Sequence, residues 1–178
     1  MQTLVMTIIG DDRPGLVDSL SSRIDDAGGN WLESRMSHLA GQFAGILRVQ
    51  VGDEDGAAAL EAAMAGLAEQ GLQVTVRSSA ADEKGIGSEA SATTVRLDLV
   101  GQDRPGIVRT IARAISARGV NVEELQTGCE SAPMSGEPLF KIDARLGLPA
   151  GLSMAALQAD IEQIASDLMV DVSLEAED

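Results

Sequence analysis

Ile9-Gly-Asp-Asp-Arg-Pro-Gly-Leu-Val17 returns 91 residues later as Val100-Gly-Gln-Asp-Arg-Pro-Gly-Ile-Val108, with six of nine positions identical. The same offset aligns Leu20 with Ile111, Ile24 with Ile115, Gly28 with Gly119, Asn30 with Asn121 and Glu33 with Glu124. Similarity sustained over this distance marks an internal duplication, so the 178 residues are read as two small units rather than one large domain.

Working outward from the motif, residues 3–9 and 94–100 read as strands, because Val95, Leu97 and Leu99 alternate with Arg96 and Asp98. Asp12 and Asp103 stand where a helix N-cap belongs, and Pro14 and Pro105 fall in the expected first turn. Apolar residues follow at helical spacing, Leu16, Val17, Leu20 and Ile24 in one copy and Ile107, Val108, Ile111 and Ile115 in the other. Gly28 and Gly119 are natural helix stops.

A second strand is expected to start near Asn30 or Asn121. A third is marked by alternation of Phe43, Leu47, Val49 and Val51, and of Phe140, Ile142, Ala144 and Leu146. Leu60, Met64 and Leu67 then carry a second helix, matched by Leu157, Ile161, Ile164 and Leu168. Val74 with Val76, and Val170 with Val172 and Leu174, close each copy as a short strand. The order is βαββαβ, twice. Right-handed crossovers put both helices on one face of a four-stranded antiparallel sheet, so the expected class is α+β, with two ferredoxin-like units in tandem. Their expected bounds are 1–80 and 93–178, joined by a small, polar linker at 81–92 without hydrophobic period. About six extra residues within 128–138 predict an exposed loop or long hairpin tip in the second copy.

Hydrophobic residues make up 44 % of the chain, enough for packed cores, whereas aromatics supply 2 %, which argues against stacking platforms for single-stranded nucleic acid. Thirteen basic against 28 acidic residues give a net charge of −15, which repels phosphate backbones and anionic membranes. Direct nucleic-acid and membrane binding are therefore not expected. One cysteine, Cys129, leaves no internal disulfide and points to a reducing compartment; with no apparent leader or spanning segment, the expected location is the cytoplasm. Cys129 and His38, the only histidine, lack the neighbours a metal site requires, so no metal and no cofactor is expected.

A βαββαβ unit with Gly-x-Asp-Arg-Pro-Gly between its first strand and first helix, and Asn opening the second strand, resembles an ACT domain. Two such units without a catalytic domain resemble the glycine-cleavage-system transcriptional repressor family and related tandem ACT proteins. The resemblance implies pairing of ACT units and binding of a small amino acid, glycine favoured, near the loop after the first strand. Carried onto this sequence, the implied ligand-binding residues are Gly10, Asp11, Asp12, Arg13, Pro14, Gly15 and Asn30, with Gly101, Gln102, Asp103, Arg104, Pro105, Gly106 and Asn121 in the second copy. It also implies indirect gene control, through contact with a DNA-binding transcription factor.

These residues carry two readings each. A helix N-terminus offers unpaired N–H groups and a positive dipole end to a carboxylate, and Gly15 and Gly106 would let the backbone come close. Equally, Asp can cap, Pro can start a helix and Gly can permit a turn with no ligand present. Asn30 and Asn121 supply donors and acceptors for a zwitterion or simply suit the chain reversal after a helix. Arg13 and Arg104 could clamp a carboxylate or be solvated or paired with an acid. Asp11 in one loop against Gln102 in the other argues against identical ligand binding by both. No nucleophile stands in a recognisable triad motif, so the chain is read as a non-enzymatic sensor, and exposed edge strands of ferredoxin-like sheets favour side-by-side pairing, so a homodimer is expected. The alternative is a ligand-free ACT scaffold or a regulatory subunit of an amino-acid-metabolising enzyme.

Overall fold

The computed structural model describes residues 1–79, 93–132 and 136–177. The chain divides into two compact units, Met1–Glu83 and Lys84–Asp178. The expected linker at 81–92 lies outside the described residues.

The first unit runs β1 (Gln2–Asp11), α1 (Leu16–Asp26), β2 (Asn30–Leu39), β3 (Gln42–Val51), α2 (Glu54–Ala65), a 3-10 turn at Ala68–Gln70 and β4 (Leu72–Ser79). The second runs β5 (Thr93–Gln102), α3 (Ile107–Ala117), β6 (Asn121–Ser131), β7 (Pro138–Leu148), α4 (Met154–Leu168) and β8 (Val170–Glu177). Both sheets are antiparallel, in the orders β2-β3-β1-β4 and β6-β7-β5-β8. This is the α+β, twice-repeated ferredoxin-like architecture that the periodicities predict.

In each unit one sheet face and both helices share a single core. Leu4, Met6, Ile8, Leu47 and Val49 pack with Leu20, Ile24, Leu60 and Met64; Val95, Leu97, Leu99 and Leu146 pack with Ile111, Ile115, Leu157 and Ile161. Each such side chain contributes about 1.5–3 kcal/mol on leaving water. Gly28 (φ 70°) and Gly119 (φ 68°) take the left-handed conformation that ends α1 and α3. The N–H groups of Gly29 and Val120 then reach back to Ile24 and Ile115.

Two local expectations are corrected. Asp12 and Asp103 do not cap helices: Gly15 and Gly106 occupy the N-cap positions of α1 and α3, and no side chain caps either helix. The Pro-Gly turn delays the helix to Leu16 and Ile107, so Pro14 and Pro105 precede the first turn and the aspartates lie out of capping reach. Val17 and Val108 are also not core residues, being 49 % and 39 % exposed, because the sheet-facing stripe is completed by Leu16, Leu20 and Ile24 and by their counterparts. The extra residues in the second copy lengthen the β6–β7 hairpin: pairing extends to Ser131 opposite Pro138, and Ala132 N–H donates to Glu137 O at 2.8 Å.

Candidate functional site: the loop ahead of the first helix in each unit

The repeated motif spans a strand end, a turn and a helix start. Gly10 and Gly101 lie within β1 and β5, where a side chain cannot be placed: a Cβ on Gly10 would stand 2.5 Å from Gly71 O, and one on Gly101 would stand 2.2 Å from Val170 Cγ1. Their role is close approach to the start of the fourth strand.

The next position differs between copies in residue type and charge, yet each residue enters an amide–carboxylate hydrogen bond. Gln42 Nε2 donates to Asp11 Oδ1 at 2.7 Å, while Gln102 Nε2 donates to Glu137 Oε2 at 3.3 Å. An amide–carboxylate pair closes both loops with the two groups exchanged, and Glu137 comes from the lengthened hairpin. Asp12 N–H donates to Gly41 O at 2.9 Å and Asp103 N–H to Pro138 O at 3.1 Å, so each loop is also pinned by its backbone.

The arginines diverge. Arg13 Nη2 donates to Gln70 O at 2.6 Å, which is neither solvation nor pairing with an acid. Arg104 Nε is shielded from solvent and has no hydrogen-bond partner among the described residues. The exposed Cys129 thiol sits beside Asp103, and lost hydration together with the neighbouring carboxylate raises its pKa.

Gly15 (φ 89°) and Gly106 (φ 96°) turn the chain into the helices, and their carbonyls accept from Ser19 N–H at 2.9 Å and Thr110 N–H at 3.0 Å. A Cβ on either would meet nothing within 4 Å. These glycines are therefore required by backbone conformation, and the space on the Cβ side of each is open. The second helix of each unit is different: Asp53 accepts from Gly56 N–H at 3.0 Å to cap α2, and Ser153 accepts from Ala156 N–H at 3.2 Å to cap α4. Among the α-helices of the described residues, α1 and α3 are the two that begin without a side-chain cap.

Asn30 and Asn121 are not brought to these loops within their own units. Asn30 pairs with Gln50, itself opposite Thr3, whereas the loop follows Asp11 at the other end of β1. The intervening stretch of strand spans about 25 Å. Among the described residues, no three His, Cys, Asp or Glu side chains converge on a metal position, and no helix is long and apolar enough to cross a membrane.

With this geometry in place, comparison with known proteins gives the class. Residues 2–77 match the ACT domain family. The second unit has the same strand order and carries the same loop motif, so the chain joins a matched ACT domain to a second unit of the same fold. Over its whole length it is similar to a crystal structure of an unknown protein from Galdieria sulphuraria, at 27 % identity and TM-score 0.82, covering 99 % of each chain. It shares its fold with a putative glycine cleavage system transcriptional repressor, at 21 % identity and TM-score 0.72, covering 99 % of this chain and 97 % of that one. Comparison with curated proteins gave no match.

Proposed function

We propose that this chain is a non-catalytic regulatory protein of the cytoplasm that binds a small amino acid, glycine favoured, and passes the signal on by protein contact. The observation that carries this reading is the contrast within each unit: α2 and α4 have side-chain caps, whereas α1 and α3 begin without a side-chain cap, behind a left-handed glycine that is open on its Cβ side. A ligand α-carboxylate is an acceptor suited to those N–H groups and to the positive end of the helix dipole. The shielded Arg104 Nε adds a donor to the second loop.

Likeness to the repressor fold, together with a net charge of −15 that disfavours DNA, supports transcriptional control through a DNA-binding partner protein, with this chain acting as a homodimer. Ligand binding would shift the protein between arrangements only to the extent that it favours one of them. Isothermal calorimetry of the full chain against the twenty amino acids tests the reading. Heat and thermal stabilisation with glycine or another small amino acid are expected; no response to any of them would refute sensing.

A ligand-free scaffold is the second reading, favoured by how fully the first loop satisfies itself. Asp11, the Asp12 N–H and Arg13 all have partners within the unit. It predicts no calorimetric response and an unchanged partner set with and without amino acids.

A further inference from the structure

The two sheets have the same topology, but their helix-free faces are built differently. In the second unit that face is an ionic ladder: Arg96 pairs with Asp98 and Asp143, and Arg145 with Glu123 and Glu177. A face so neutralised within itself is made for water. At equivalent positions in the first unit, Val5 replaces Arg96 and Ile46 replaces Asp143. Ile46 is 56 % exposed and Ile9, on the same face, is 49 % exposed. Val5, Ile46, Arg35 and Arg48 line a concavity of about 280 Å³ there. Three of the five arginines between residues 1 and 80 stand on this face, Arg35, Arg48 and Arg77, against two acids: Glu33, 3.5 Å from Arg48, and Asp11 at the strand end, which accepts from Gln42.

The register makes the face self-complementary. Glu33, Arg48, Val5 and Arg77 form one row across β2, β3, β1 and β4, with acid at one end and base at the other. A two-fold axis parallel to the strands reverses the row, laying β2 over β4 and β3 over β1 of a second copy. Glu33 then meets Arg77 of the second copy, twice by symmetry, and the Arg48 stem covers Val5. In neighbouring rows, Ile46 faces Thr7 and Ile9 faces Ala44, so larger side chains oppose smaller ones. The corresponding row in the second unit, Glu124, Arg145, Arg96 and Glu175, has acid at both ends and would oppose itself.

We infer that the open sheet face of the first unit is a homodimer interface, packed face to face on the same face of a second copy, with Glu33 and Arg77 setting its register. Aligned sheets stack about 10 Å apart, close enough for the aliphatic centre to be excluded from water while the charges stay at the rim. This rests on the homodimer part of the proposed function and is independent of amino-acid binding.

Sedimentation equilibrium of the full chain and its variants tests it, with circular dichroism to confirm folding. The wild-type chain is expected to be a dimer. Arg77→Glu and Glu33→Arg move the net charge in opposite directions, yet each should raise the dimer Kd at least about tenfold, and the double exchange should return it to within about threefold of wild type. Ile46→Asp should also dissociate the dimer, while Glu175→Arg on the second unit's face should leave it intact. A wild-type monomer would overturn both the interface and the homodimer. A dimer indifferent to Arg77→Glu, Glu33→Arg and Ile46→Asp, or singles not rescued by the exchange, would overturn this interface alone.

Discussion

The Arg13 guanidinium donates to the carbonyl oxygen of Gln70, fastening the loop after β1 to the turn that leads into β4. Its counterpart Arg104 has a shielded Nε without such a partner. Arg13→Ala is therefore expected to lower unfolding free energy by about 0.5–1.5 kcal/mol, read as a shift of the urea midpoint at constant slope. Arg104→Ala should cost less stability, because it removes an unsatisfied donor, and should weaken any amino-acid affinity more than Arg13→Ala does.

Gly10 and Gly101 should resist substitution for different local reasons. Gly10→Ala drives a Cβ against the Gly71 carbonyl oxygen, and Gly101→Ala drives one against the Val170 side chain. Each is expected to destabilise its unit by about 1–3 kcal/mol. Val170→Ala should partly rescue Gly101→Ala in thermal melts, whereas Leu72→Ala should not rescue Gly10→Ala, whose nearest obstacle is backbone.

At Gly15 and Gly106 the obstacle is φ, not space. Gly15→Ala and Gly106→Ala should each cost about 1–2 kcal/mol through left-handed strain, and Asn should cost less than Val at either position. Chemical denaturation of the three variants at each site gives the ranking. A cost as great for Asn as for Val would show that contact, rather than conformation, governs the site.

The Cys129 thiol should react slowly. Lost hydration and the Asp103 carboxylate raise its pKa, so the folded chain holds this proton at mildly alkaline pH where the unfolded chain releases it. Its stabilising contribution is present below the unfolded thiol pKa and lost as pH rises through the folded one. Iodoacetamide should alkylate the native protein more slowly than the urea-unfolded chain, and Asp103→Asn should speed the native reaction. Equal rates for Asp103→Asn and wild type would remove Asp103 as a cause.

The fold was legible because its signals are local and occur twice. Alternation in Val95, Leu97 and Leu99, helical spacing in Leu20 and Ile24, and glycine stops at Gly28 and Gly119 each report a backbone geometry, and duplication repeats every report. The candidate loop was legible as a motif but not as an arrangement. Asp12 looks like a cap because the left-handed turn at Gly15, which moves the helix start, depends on a dihedral angle that residue spacing does not specify.

Residue order alone thus determined two βαββαβ units, their core faces and the loop at each helix start, since periodicity and turn chemistry act between near neighbours. Tertiary structure decided the rest. Strand register placed Gln42 on Asp11 and brought Glu137 to Gln102; it separated Asn30 from the loop and assembled Glu33, Arg48, Val5 and Arg77 into one row. Those relationships join residues distant along the chain, and only the sheet hydrogen-bond ladder fixes which of them stand opposite one another.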